Sequence, residues 1–200
     1  MKKKLTKEDY LWKVNYKVLN CYLDFYREEG IWVTTNQSWN LARWNIYGNV
    51  LISKKAIRQF LKFENLDKSS KAVDWNGRKG SRCFVAEHVV PFKVVKELYL
   101  KKFSKENPTF EEYKKFFLKF NRLCYVWHEE DLILKNMGLN DSVPDIKNIE
   151  NKIFERYIKS DIEYIETNLQ NGNELFKKLK TLRSGAATLD EVIGSIKKIS

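Results

Sequence analysis

The sequence predicts a mainly α fold that contains one small strand–strand–helix (ββα) element, and therefore an α+β protein. Apolar residues recur at helical spacing over most of the 200 residues. Two short β-type runs lie on either side of a helical insertion, and an acidic helix start follows the second run directly. A hydrophobic content of 43%, with 14% aromatic residues, is enough for a packed core.

The first elements are predicted to be helices joined by polar segments. From Tyr10 to Tyr26, apolar residues recur every three or four positions, while lysines lie off that stripe. A second helix is predicted from Ser53 to Phe63, because serine is a favoured N-cap residue. The polar, glycine-containing run DKSSKAVDWNGRKGS, residues 67–81, predicts a loop or a hairpin connection.

The two β-type runs enclose predicted helices. The run RCFVAEHVV, which Pro91 stops, has the β-branched and aromatic residues of a short strand. A helix is then predicted over Lys93–Phe103, and Thr109 with Glu112 has the pattern of a capping box that opens another helix. The run RLCYVW, residues 122–127, predicts the second strand.

An acidic helix is predicted directly after the second strand. Its sequence HEEDLILKNMG places His128 at the N-cap position, has carboxylates in the first turn and ends at Gly138, as helix termini favour. Beyond Pro144, apolar residues at helical spacing between Ile149 and Ile165 predict a long helix, until the run NGN breaks the pattern. Two shorter basic helices are predicted to complete the chain.

These elements suggest three segments in one compact unit. Residues 1–80 would form a helical region that positions nucleic acid. Residues 81–140 would form the core of two strands and a helix, with its helical insertion, and residues 141–200 would form a second helical region. A length of 200 residues suits one such unit.

The charge of the chain predicts a polyanionic partner. Thirty-seven basic side chains stand against 26 acidic ones, which gives a net charge of +11. Such a field attracts nucleic acid, and double-stranded DNA is the partner that we expect. No run approaches the ~18 apolar residues of a spanning helix, and no apolar segment follows the basic start, so we expect a cytoplasmic protein without a membrane partner. Cys21, Cys83 and Cys124 are expected to be reduced core thiols.

Two sets of residues each have two interpretations. One set of basic residues either tracks phosphates or forms a solubilising face: Lys2 to Lys4, Lys54, Lys55, Arg58, Arg78 and Lys79. A set of tryptophans either stacks on bases or belongs to the core, and the core is the interpretation that we prefer: Trp32, Trp39, Trp44 and Trp75.

The two histidines of the chain, His88 and His128, each stand beside an acidic residue at the end of a predicted strand. In phosphodiester hydrolysis a carboxylate can hold a divalent cation while a neutral imidazole deprotonates the attacking water. Glu87 and His88 supply such a pair. A second ligand is expected from the helix start, whose candidates are His128, Glu129, Glu130 and Asp131. Oxygen ligands favour Mg²⁺ or Mn²⁺, and an imidazole ligand would broaden the choice of metal.

The run AEHVVP, the asparagine ahead of the second strand and the acidic helix start together resemble the HNH (ββα-metal, His-Me finger) endonucleases. The resemblance covers roughly residues 80–138. It implies metal-dependent hydrolysis of DNA phosphodiester bonds, with His88 as the general base, Glu87 as a metal ligand and Asn121 as the residue that orients the base. The long insertion between the strands departs from the usual family pattern, as does the absence of the paired cysteines that bind structural zinc in many members.

The same resemblance implies further ligands and a biological setting. The helix ligand would be Glu130 or Asp131, with His128 as another candidate, and Arg82 would bind a phosphate. By analogy the chain looks most like a restriction-type enzyme. A homodimer would follow if its target were palindromic, because each site would then cut one strand.

Other interpretations stay open at this stage. His88 can instead be a buried structural histidine with Glu87 at a solvated edge. The chain can be a non-catalytic regulator or inhibitor that binds nucleic acid, or an adaptor that uses its C-terminal helices. The nuclease hypothesis requires a polar atom of residues 128–131 within ~5 Å of the Glu87 carboxylate. It also requires an imidazole at position 88 that is open to solvent.

Overall fold

The protein is described by a computed structural model. It covers residues 7–30, 49–63, 66, 68, 71–73 and 79–197, with the backbone alone at 7–9, 71–73 and 79–82. Along the chain the elements are α1 (Lys7–Glu29), β1 (Leu51–Ser53), α2 (Lys54–Lys62), β2 (Lys71–Val73), β3 (Lys79–Arg82), β4 (Phe84–His88), α3 (Phe92–Phe103), α4 (Phe110–Phe120), β5 (Leu123–Trp127), α5 (His128–Asn136), a 3₁₀ turn (Ile146–Asn148), α6 (Glu155–Lys159), β6 (Tyr164–Glu166), α7 (Gly172–Ser184) and α8 (Leu189–Ile196). The described elements form two compact units.

The first unit contains α1, α3 and α4. Aromatic side chains fill the space between these helices. Trp12 of α1 meets Tyr113 of α4 edge-on, with ring centroids 5.6 Å apart, and Tyr99 of α3 lies 5.5 Å from Phe117 of α4. The predicted capping box at the start of α4 is confirmed, because the side chains and backbone of Thr109 and Glu112 bond each other reciprocally.

The second unit contains every described strand. Four of them form a mixed sheet in the order β4-β5-β1-β6. β4 and β5 are antiparallel, with Phe84 opposite Trp127 and His88 opposite Leu123. β1 pairs with β5 in parallel and with β6 antiparallel. β2 and β3 form a separate antiparallel pair, which is the pairing that the hairpin alternative predicts.

The two faces of this sheet are covered by different helices. On one face, Ile52 and Tyr125 pack with Ile57 of α2, Phe176 of α7 and Val192 of α8. On the other face, the buried cluster includes Leu51, Cys124 and Val126 from the strands, together with Leu134 of α5 and Tyr157 of α6. Because adjacent strand residues project to opposite faces, the choice of face decides which helix a strand side chain can meet.

The predicted order of strand, helical insertion, strand and helix is confirmed by β4, α3, α4, β5 and α5. The expectation of a two-stranded element is wrong, because β1 and β6 extend it to four strands. Each added strand has three residues, which is too short to produce a recognisable alternation. The expected N-cap is wrong by one position, since Trp127 precedes the helix and His128 is its first residue. Gly138, with a φ of 68°, ends that segment as predicted.

The long helix predicted between Ile149 and Ile165 is wrong. A 3₁₀ turn, the short helix α6 and strand β6 occupy this region instead. Asp161 adopts a left-handed φ of 54°, which ends the helical run and turns the chain into β6. The helical spacing arose because Ile149, Ile162 and Ile165 are all buried, although they belong to different local structures. The two shorter helices predicted at the end are present as α7 and α8, but α8 contains no basic residue, so the prediction of two basic helices is confirmed for α7 alone.

All three cysteines are free thiols. Cys83 and Cys124 are buried as expected, whereas Cys21 is exposed, so the expectation of a core thiol is wrong at that position. The buried residues of that part of α1 are Leu19 and Leu23, and a residue two positions from each lies on the opposite side of a helix. Within the described part of the chain, no helix has the length and apolar character needed to cross a membrane.

Candidate active site

Glu87 lies one residue before the end of β4, opposite Cys124 of β5. Strand alternation places it on the same face as Cys124, which is the face that α5 covers. The side chain of Glu87 is 18% exposed, so its carboxyl group is largely removed from water without being sealed from it.

Asp131 approaches Glu87 from the first turn of α5. Because β5 runs antiparallel to β4, α5 begins beside the start of β4, where the His128 N–H donates to the Cys83 carbonyl at 2.9 Å. From there α5 packs on the sheet face that carries Glu87. The side chain of Asp131 is 3% exposed, and its carboxyl group lies near enough to that of Glu87 to raise the pKa of Glu87. Of the acidic turn, residue 131 is therefore the one whose carboxyl group acts on Glu87.

The two oxygens of Asp131 have different surroundings. Lys135, one turn further along α5, donates a hydrogen bond from Nζ to Oδ2 at 2.5 Å. The other oxygen, Oδ1, is buried and accepts no hydrogen bond from the described residues. A buried carboxylate oxygen without a donor is costly, unless a proton or a cation satisfies it.

Arg156 also contacts Glu87. Its side chain is fully buried, and its Nη2 donates to Glu87 Oε2 at 3.0 Å. The same nitrogen also donates to the backbone carbonyl of His88, and Nη1 donates to the carbonyl of Leu139 at 2.8 Å. Sequence reasoning missed this arginine. No local signal marks it, because Lys152 and Lys159 are further basic residues in the same predicted helix.

The surroundings of Glu87 contain groups that raise its pKa and one group that lowers it. Burial raises the pKa of Glu87 above its usual value, the nearby Asp131 acts in the same direction, and Arg156 lowers it. Two ionised carboxylates near each other repel. The positive charges of Arg156 and Lys135 offset the two negative charges from the sides. Between the carboxyl groups themselves, the arrangement can share a proton or hold a cation.

Other residues of the acidic turn have different partners. Glu130 is 5% exposed, and its Oε2 accepts hydrogen bonds from the Ser53 hydroxyl at 2.5 Å and the Trp127 backbone N–H at 2.8 Å. Glu129 is more than half exposed and pairs with Lys55 at 2.5 Å. Among the candidate ligands of the helix start, Asp131 is thus the one that the structure brings to Glu87, while Glu130 is engaged in joining β1 to α5.

The histidines occupy distinct environments. His88 ends β4 and is 7% exposed, so the second requirement, an imidazole open to solvent, is not met. Strand alternation also directs His88 and Glu87 to opposite faces. His128 packs its ring 4.8 Å from the ring of Trp127, and its Nδ1 accepts and donates no hydrogen bond among the described residues. Asn121 is fully buried at the C-cap of α4, in the first unit. Its predicted role stays a prediction.

Three of the predicted phosphate-binding residues are brought together. Lys54, Lys55 and Arg58, all in α2, line a pocket of about 450 Å³. Two of these charges are already offset, because Lys54 pairs with Glu163 and Lys55 pairs with Glu129. Acidic groups therefore share this pocket with the basic ones, which makes it less cationic than the sequence suggested.

Several predicted residues fall outside what is described. Arg78, Lys2 to Lys4 and the tryptophans at 32, 39, 44 and 75 lie outside the described residues, and for Lys79 and Arg82 only the backbone is described. No group of three or more His, Cys, Asp or Glu side chains that could hold a metal ion occurs within the described ranges. Comparisons with protein-family models, with curated proteins and with solved structures found no match for this chain.

Proposed function

We propose that the protein is a metal-dependent nuclease that hydrolyses DNA phosphodiester bonds beside the Glu87–Asp131 pair. The observation that carries this proposal is that two largely buried carboxyl groups, those of Glu87 in β4 and Asp131 in α5, lie near each other where α5 packs on the sheet. The resemblance of the sequence around Glu87 and His88 to the HNH endonucleases supports the same reaction.

The carboxylate pair suits Mg²⁺ or Mn²⁺. Mg²⁺ usually keeps several water ligands and binds through one or two carboxylates together with phosphate oxygens, so two protein ligands are enough. Glu87 and Asp131 would hold the ion, and the buried Asp131 Oδ1 is an oxygen that such an ion would satisfy. When bound, the cation would stabilise the negative charge that develops on the scissile phosphate.

His88 is the base that the resemblance implies, and its imidazole would accept the proton of the attacking water. Because strand alternation directs it to the face opposite Glu87 and it is 7% exposed, it would have to reach that water around the end of β4. The net charge of +11 would draw DNA to the protein. Lys54, Lys55 and Arg58 would contact DNA phosphates, once DNA competes with the acidic partners of the two lysines.

Cleavage of a supercoiled plasmid in Mg²⁺ or Mn²⁺ tests the proposal. We expect cutting by the wild type, abolished by EDTA, and a loss of roughly 10²-fold or more in both Asp131→Asn and His88→Ala. Glu129→Gln is the matched control, because it changes an exposed carboxylate in the same helix turn, and its rate should stay within about twofold of wild type. Undiminished cutting by Asp131→Asn would contradict the proposal.

The burial of His88 favours a second candidate, a non-catalytic nucleic-acid-binding regulator or inhibitor. In that case, Glu87, Asp131 and Arg156 would form a purely structural network. Wild type and His88→Ala would bind DNA or RNA equally well, with neither protein cutting in any divalent metal. The binding constant would fall steeply with salt, because phosphate contacts release counterions.

A further inference from the structure

We propose that Arg156 is a positioning residue for the carboxylate pair: its guanidinium group holds Glu87 in the conformation in which the Glu87 carboxyl group meets that of Asp131. The inference rests on the proposed function for its catalytic meaning. The positioning itself is a property of the protein without metal or substrate, and it can be tested separately.

The guanidinium group is itself fixed in place. It is fully buried and donates to the carbonyl of His88, at the end of β4, and to the carbonyl of Leu139, which follows α5. The first carbonyl belongs to the strand that carries Glu87, and the second lies shortly beyond the helix that carries Asp131. One planar, rigid group therefore ties the strand end to the segment after the helix, and its Nη2 also donates to Glu87 Oε2 at 3.0 Å.

Glu87 needs such an anchor because its other neighbour repels it. Its flexible side chain is 18% exposed, so its carboxyl group can turn toward solvent, and repulsion from the Asp131 carboxylate favours that turn. Attraction to Arg156 opposes this movement of the Glu87 carboxyl group. Lys135 cannot replace Arg156 in this role, because it contacts Asp131 rather than Glu87 and is itself 47% exposed.

The test is a nuclear magnetic resonance experiment on metal-free protein, in which the ¹³C shift of the Asp131 carboxyl group reports whether Glu87 is next to it. In wild type, Glu87→Gln should move this signal. In an Arg156→Met background, which lacks the guanidinium donors, Glu87→Gln should leave the ¹³C shift of the Asp131 carboxyl group unchanged. Arg156→Lys should restore part of the response, because an ammonium group can still pair with Glu87. Lys135→Met is the matched control and should retain the response.

The outcomes separate the two proposals. A full response in folded Arg156→Met, or none in Lys135→Met, would overturn the positioning role. If Arg156→Met does not fold, the decision falls to Arg156→Lys, for which a response equal to wild type overturns the inference and a reduced one supports it. A wild-type protein that shows the predicted NMR pattern but cuts no DNA would refute the nuclease and leave the role of Arg156 intact.

Discussion

Replacing Glu130 by alanine should destabilise the protein strongly, because this carboxylate joins three segments of the second unit. Its Oε2 accepts from the Ser53 hydroxyl and from the Trp127 N–H, and Ser53 in turn accepts from the Ala56 N–H at 3.0 Å to cap α2. Alanine would leave two buried donors without an acceptor, at about 1–2 kcal/mol each, and would remove one buried methylene group, at about 0.8 kcal/mol. The expected loss of folding free energy is therefore about 3–5 kcal/mol.

Glutamine at the same position should cost much less. Burial raises the pKa of Glu130, which means that the fold favours its uncharged form, and an amide oxygen can accept the same two hydrogen bonds. We expect Glu130→Gln to stay within about 1 kcal/mol of wild type. It should also keep its Mg²⁺-dependent cleavage, because Asp131, not Glu130, is the proposed ligand from α5.

Urea unfolding followed by tryptophan fluorescence measures both variants. With a slope of about 2 kcal/mol/M, the midpoint should fall by roughly 1.5–2.5 M in Glu130→Ala and by less than about 0.5 M in Glu130→Gln. The exposed Glu129→Ala is the control and should change stability by less than about 1 kcal/mol. Equal losses in the alanine and glutamine variants would refute the argument from lost acceptors. A stable Glu130→Gln that no longer cuts would make Glu130 a metal ligand.

Three further outcomes are expected. Gly172→Ala should cost about 1–3 kcal/mol in urea unfolding, because its Cβ would overlap the buried ring and hydroxyl of Tyr125, and an unchanged midpoint would show that this contact yields. The N–H and hydroxyl of Thr188 lower the pKa of Glu191, so this carboxylate stabilises the start of α8 above pH ~4.5 and loses that effect as the pH falls further. The helix signal in circular dichroism should therefore depend less on acid in Glu191→Gln, and an identical acid profile would contradict the role of the cap. Of the three cysteines, Cys21 is exposed and the others are buried, so a thiol reagent should label one group per native chain quickly, whereas rapid labelling of three would not fit this fold.

The elements around the candidate site could be predicted because their signals are local. The strand run before Pro91, the capping box at Thr109 and the acidic start of α5 each occupy a few consecutive residues. The closeness of Glu87 and Asp131 does not follow from connectivity alone. Because β5 is antiparallel to β4, α5 begins beside Phe84 at the start of β4, and Asp131 is brought to Glu87 by the packing of α5 on the sheet face.

The rest depends on contacts between distant residues. Strands β1 and β6 have three residues each, and their pairing is stabilised by the sheet rather than by any local pattern. The turn at Asp161 breaks an apolar period that looks like one helix. Arg156 lies in the segment that was wrongly predicted as one long helix. Its contact with Glu87 depends on the short helix and the strand that this segment forms instead. The burial of His88 likewise depends on packing that a strand-end pattern does not encode.

The central claim, that Glu87 and Asp131 together hold a divalent cation, is tested most directly by titrating isotopically labelled protein with Mn²⁺ and recording which resonances broaden. Paramagnetic broadening at low Mn²⁺ should centre on residues 87 and 131, should extend to His88, and should disappear in Asp131→Asn. Broadening that centres instead on the exposed carboxylates Glu129 and Glu163, or that persists unchanged in Asp131→Asn, would contradict the claim.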